Sequence, residues 1–163
     1  MKKIIFILCI AGLFNAAQAQ LVPKSVCPTI TVDILDGIVN ELSPASTPGQ
    51  IKLKLPCFTS TEAEGSGAKC GGTVFYKDRD IYFYTDQDYI EIGEKFKGNL
   101  SIPLLGASRT GLFKWLGLPK LKDPDWEAFQ TQYGTLVLHY NKINKVYLIQ
   151  FSTRHTETLS LCE

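Results

Sequence analysis

Two stretches of alternating aromatic and β-branched residues, each broken at its middle by turn-forming residues, commit much of this chain to antiparallel sheet. The first runs Ile81-Tyr82-Phe83-Tyr84, then Thr85-Asp86-Gln87-Asp88, then Tyr89-Ile90-Glu91-Ile92. The second runs Leu136-Val137-Leu138-His139-Tyr140, then Asn141-Lys142-Ile143-Asn144, then Lys145 to Phe151. Such residues favour a pleated, half-buried surface, and the Asp and Asn clusters favour turns. Pairing Tyr84 with Tyr89 sets Phe83 opposite Ile90 and Ile81 opposite Ile92 on one face, leaving Tyr82, Tyr84, Tyr89 and Glu91 on the other. Pairing Tyr140 with Lys145 sets Leu138 opposite Tyr147 and Leu136 opposite Ile149. The other face then carries Val137, His139, Val146, Leu148 and Gln150. A further strand is expected before each hairpin, at Gly72 to Tyr76 and at Phe129 to Tyr133.

A helical signal precedes each hairpin. In Gly106 to Pro119, Ser108 is placed to cap, and Leu112, Trp115 and Leu116 recur at helical spacing. Gly117 and Pro119 then end the helix. The earlier copy, Ser46 to Pro56, has Ser46 as cap, Pro48 in the first turn and Pro56 as stop. Its Ile51, Leu53 and Leu55 alternate like a strand, so that segment reads as either helix or strand. Taken together these signals predict an α+β fold: an antiparallel sheet with short helices on one face, in two tandem helix–hairpin repeats over residues 20–95 and 96–163.

The order Gly-x-Ser, short apolar helix, Leu-Gly-x-Pro and aromatic hairpin resembles the repeat of the β-lactamase-inhibitor-like fold, shared with the SmpA/OmlA group of envelope lipoproteins. Residues 106–119 and 135–151 carry the resemblance, and residues 46–56 and 81–92 follow it loosely. It implies that two halves join their sheets into one concave surface that grips a partner protein, with a local disulfide near the helix-to-strand loop. The lipid-bearing cysteine of the lipoproteins is missing, which counts against a role in membrane assembly.

The chain opens like an export signal. Lys2 and Lys3 precede the apolar run Ile4 to Phe14, which is too short to span a bilayer, and Ala17-Gln18-Ala19 is a small-x-small cleavage pattern ahead of Gln20. Neither Cys9 nor Cys27 follows a lipid-attachment context. The expectation is a periplasmic or secreted protein cut after Ala19, with no membrane anchor. Without Lys2 and Lys3 the 17 basic residues fall to 15 against 16 acidic ones, a net charge of about −1, which lacks the footprint of a nucleic-acid binder.

After cleavage four cysteines remain: Cys27, Cys57, Cys70 and Cys162. In an oxidising compartment they read as two disulfides, with three pairings open. Cys57–Cys70 would close a short polar loop, and Cys27–Cys162 would close the longest loop and tie the chain ends together, so that pairing is preferred. Zinc would call for a Cys-x-x-Cys or a His pair, and neither is present.

Catalytic signals are sparse. There is no Gly-x-Ser-x-Gly elbow, and Gly106 to Gly111 lacks the Gly-Lys-Ser/Thr ending of a phosphate loop. Asp78/Asp80 and Asp86/Asp88 fit turn chemistry better than a calcium loop. Trp115 and Trp126 read as packing residues, and His155 as a residue on a solvated strand end. The reading is of a non-enzymatic module without cofactor or metal. Its partner would be a protein or peptide, of inhibitor, immunity or envelope-accessory type, contacting Tyr82, Tyr84, Tyr89, Glu91, His139 and Gln150. The alternative is a small secreted hydrolase with its site around His139.

Overall fold

The computed structural model describes residues 26–65 and 71–161. The export signal read over residues 1–19, Cys70 and Cys162 lie outside the described residues. In chain order the elements are β1 (Thr31–Asp33), β2 (Ile38–Val39), α1 (Pro48–Lys54), β3 (Ser60–Glu62), β4 (Thr73–Tyr76), β5 (Ile81–Tyr84), β6 (Tyr89–Ile92) and β7 (Asn99–Leu100). They continue with α2 (Phe113–Leu116), β8 (Leu121–Lys122), β9 (Trp126–Gln130), β10 (Thr135–Tyr140) and β11 (Val146–Ser152).

Eight strands form one antiparallel sheet in the order β3-β4-β5-β6-β11-β10-β9-β8. It consists of two four-stranded meanders, β3 to β6 and β8 to β11, whose last strands pair with each other at a central seam. A second sheet, β2-β1-β7, is small and mixed, with β1 antiparallel to β2 and parallel to β7.

The expected α+β arrangement of two helix–hairpin repeats is overturned: the chain is mostly β, and what recurs is a four-stranded meander. Local chemistry accounts for the short helices. Pro48 and Pro56 bracket α1, which holds seven residues. Its cap is Thr47 and not Ser46: the Thr47 hydroxyl accepts from Gln50 N–H while the Gln50 side chain accepts from Thr47 N–H at 2.9 Å. In the second half Ser108 makes no capping bond. A 3-10 turn at Arg109–Gly111 leads into α2, a single turn that ends at Gly117 with φ 70°.

All of the sheet's core side chains point one way. Val74, Tyr76, Ile81, Phe83, Ile90 and Ile92 from the first meander join Phe129, Leu136, Leu138, Tyr140, Ile149 and Phe151 from the second. The small sheet and α1 cover this face through Ile30, Val32, Val39, Ile51 and Leu55. Buried Tyr76 donates to the Leu55 carbonyl at 2.6 Å, which fixes the end of α1 to β4.

The first hairpin has the expected register, Ile81↔Ile92 through Tyr84↔Tyr89. The second is displaced by two residues, pairing Leu138 with Ile149 and Leu136 with Phe151, and a bulge between His139 and Tyr140 sets Tyr140 opposite Val146. An even displacement keeps every β10 side chain on its expected face. The bulge carries Val146 into the core and leaves Tyr147 exposed.

The preferred cysteine pairing is also overturned. Cys27 is bonded to Cys57, with their Cα atoms 5.3 Å apart. The bridge ties the segment before β1 to the end of α1 and excludes both Cys57–Cys70 and Cys27–Cys162. Loop-length reasoning missed it because the small sheet, which brings residue 27 beside residue 57, leaves no pattern in the sequence. Among the described residues no helix is long and apolar enough to cross a membrane.

Candidate binding face

The face of the large sheet opposite the core is built by strand alternation. One cross-strand row runs Phe75, Tyr82, Glu91, Gln150, Val137, Ala128 over six adjacent strands. A neighbouring row runs Thr73, Tyr84, Tyr89, Ser152, Thr135, Gln130.

The two halves of this face differ. Over the second meander, residues 153–161 fold back across the strands. Thr156 N and Oγ1 donate to Gln130 Oε1 at 3.2 and 2.6 Å, Thr135 Oγ1 donates to the Arg154 carbonyl at 2.8 Å, and Arg154 pairs with Asp88 at 3.3 Å. Leu159 and Leu161 complete a cavity of about 190 Å³ with Leu121, Trp126, Val137 and His139. Val137, Ala128 and Gln150 are buried. Over the first meander Phe75, Tyr82, Tyr84 and Glu91 stay half-buried.

The half-buried aromatics form a fixed array. Phe75 meets Tyr82 and Tyr84 edge-on, with centroids 5.7 and 6.4 Å apart, and Tyr84 stacks on Tyr89 at 4.4 Å. Tyr82 donates to Asp80 Oδ1 at 3.1 Å. Burial, followed by that bond, raises the Tyr82 pKa. Burial pushes Tyr84 up to about 12, with the Glu91 charge adding to it.

Beside the array a polar chain crosses the seam. His139 Nε2 lies 2.8 Å from Gln150 Oε1, and Gln150 Nε2 donates to Glu91 Oε2 at 2.9 Å. Because the carboxylate takes the amide nitrogen, the amide oxygen faces the imidazole, so Nε2 of His139 carries the proton. Burial raises the Glu91 pKa; the Gln150 bond and the nearby His139 pull the other way.

The six residues read from the sequence as contacts therefore occupy different depths. Tyr82, Tyr84 and Glu91 line the open half, Tyr89 lies buried beneath it, Gln150 is buried at the seam on the covered half, and His139 is half-buried beside it. Phe75 was missed, although its alternation with Val74 and Tyr76 places it on this face. Asp80 was missed as well; it supports the array from a turn, at φ 57°, accepting Lys95 N–H at 2.7 Å as well as the Tyr82 hydroxyl. Asp86 accepts Gly65 and Gly72 N–H, both at 3.0 Å. His155 is exposed beyond β11, Trp126 is half-buried, and Trp115 is exposed.

A cleft of about 460 Å³ lies elsewhere, between the small sheet and Lys54. It is shallow and gathers no aromatic side chain, so it is a weaker candidate than the tyrosine face. No protein-family model, curated protein or solved structure matches the chain.

Proposed function

We propose that the chain is an exported binding module that takes a protein or peptide partner on the open half of its sheet. Phe75, Tyr82 and Tyr84 act as anchors, and Glu91 is the polar group among them. The observation that carries this reading is Glu91 itself. A carboxylate whose pKa is raised by burial destabilises the fold at neutral pH, yet two further side chains in series are devoted to orienting it. Such a group is better explained by what it contacts from outside than by packing. Tyrosines held edge-on and stacked lose little further entropy when a partner covers them, which suits anchor positions.

The hydrolase reading requires the His139 imidazole against a carboxylate. Gln150 stands between His139 and Glu91, and an amide does not relay a proton. Alanine at Tyr82 and Tyr84 together tests the binding reading. The variant keeps its cooperative unfolding and loses at least about tenfold in partner affinity. Loss of folding with unchanged affinity per folded molecule would assign the tyrosines to packing instead.

A further inference from the structure

At the far edge of the large sheet, five strand spacings or about 24 Å from β5, a second surface has a different composition. Residues 109–122 read Arg-Thr-Gly-Leu-Phe-Lys-Trp-Leu-Gly-Leu-Pro-Lys-Leu-Lys and contain no acidic residue. Three large apolar side chains within six positions face solvent: Phe113 is 64% exposed, Trp115 40% and Leu118 77%. Exposed leucines scattered singly need no explanation, but a cluster of this kind marks a contact surface.

The segment is held in place from beneath. Leu112 is buried, Gly117 N–H closes the turn of α2 on the Phe113 carbonyl at 2.9 Å, and Lys120 N–H bonds to the Ala128 carbonyl at 2.7 Å. Arg109 fastens the following turn, donating to the carbonyls of Asp123 and Pro124 at 2.9 and 2.8 Å and to Glu127 at 3.1 Å. Exposure of the apolar side chains is thus imposed by the fold and is not a frayed end.

Three lysines stand among them. Lys114 lies over the Trp115 ring at 4.1 Å and Lys122 lies 3.9 Å from Glu127; Lys114 and Lys120 make no ion pair among the described residues. Apolar and indole side chains interleaved with lysines, whose stems lie along apolar surface while their ammonium groups reach outward, match the boundary of a bilayer bearing negative headgroups. A protein partner would call for charges of both signs at the rim; residues 113–122 carry one sign only, and the acids that follow them, Asp123 and Asp125, are exposed in the turn between β8 and β9. We infer that residues 113–122 form a reversible docking surface for an anionic lipid bilayer, with Phe113, Trp115 and Leu118 entering the headgroup boundary and Lys114 and Lys120 meeting the headgroups. The chain would then lie on a membrane by one edge of its sheet, leaving the tyrosine face free at the other.

The test is local, because the apolar run at residues 4–14 would bind lipid by itself. In a Trp126→Phe background Trp115 is the remaining indole, and its quenching is read on vesicles of brominated phosphatidylcholine with or without a third of phosphatidylglycerol. Quenching is expected on the anionic vesicles, weak on the neutral ones, and reduced by salt. Leu118→Asp should abolish it, and Lys114→Glu with Lys120→Glu should lower partitioning by about tenfold or more. All three side chains are exposed, and circular dichroism checks that the variants remain folded. Equal quenching on neutral vesicles, indifference to the lysine reversals, or no quenching at all would overturn the inference. A segment-dependent complex with a purified protein in place of lipid would overturn it too, and would make the surface a protein contact.

Discussion

Gln150 and Glu91 face each other across the seam between the two meanders, joined by a bond of 2.9 Å from the Gln150 amide nitrogen to the Glu91 carboxylate. The pair links the halves of the sheet through side chains as well as backbone. Gln150→Leu leaves the carboxylate without that donor and the imidazole without its acceptor. The expected loss is about 1–3 kcal/mol in urea denaturation at pH 7. It should shrink in acid, where Glu91 binds a proton; an equal loss at both pH values would show that Gln150 matters only through its volume.

Glu91 should make the protein less stable as the pH rises. Its folded pKa lies above the ordinary 4.5 because burial disfavours the charge. Between those two values the folded chain holds more protons than the unfolded chain, so stability falls through that window and stays lower above it. Glu91→Gln keeps an acceptor for Gln150 and removes the charge. Its Tm should exceed the parent's at pH 7 and converge with it below the ordinary carboxyl range. A parent more stable than the variant at pH 7 would contradict the burial argument.

Peptide mapping without reductant should recover Cys27 joined to Cys57. The bond spans a sequence separation of 30 residues, and serine at both positions should lower stability by roughly 3–4 kcal/mol on the loop-entropy estimate. Recovery of Cys57 joined to Cys70 would contradict the path of the chain before β1.

Gly37 joins β1 to β2 at φ 64°, where an added Cβ would come within 2.5 Å of the Tyr133 ring. Tyr133 cannot readily yield, since its hydroxyl donates to the Ile34 carbonyl at 3.2 Å. Gly37→Ala should therefore cost about 1–3 kcal/mol in thermal or urea unfolding. Unchanged stability would mean that the small sheet is not packed on the second meander as described.

Much of the large sheet was legible because its strands alternate cleanly: Ile81, Phe83, Ile90 and Ile92 declare one face, and the short turn at Thr85–Asp88 fixes their register. The second hairpin was read two residues out of register because no residue type marks the bulge between His139 and Tyr140. The helices were overread. Leu112, Trp115 and Leu116 have helical spacing, but Gly111 and Gly117 leave room for one turn, and Trp115 faces solvent. The small sheet was invisible, since strands of two or three residues carry no period. So was the cover of residues 153–161, whose docking rests on single bonds such as Thr156 to Gln130. That cover decides which half of the tyrosine face stays open, so the candidate face could be read from the sequence as a row of side chains but not as a surface.

The central claim is that the open half of the sheet is where a partner sits. A photoreactive p-benzoylphenylalanine placed at Tyr82 tests it, with the same probe at Leu53, exposed on α1 on the other side of the molecule, as the control. Position 82 should capture one species from the native compartment. Excess unlabelled protein should displace it, and the Tyr82→Ala, Tyr84→Ala variant should not. Capture from Leu53 with none from position 82, or capture that the double variant competes away as well as the parent does, would contradict it.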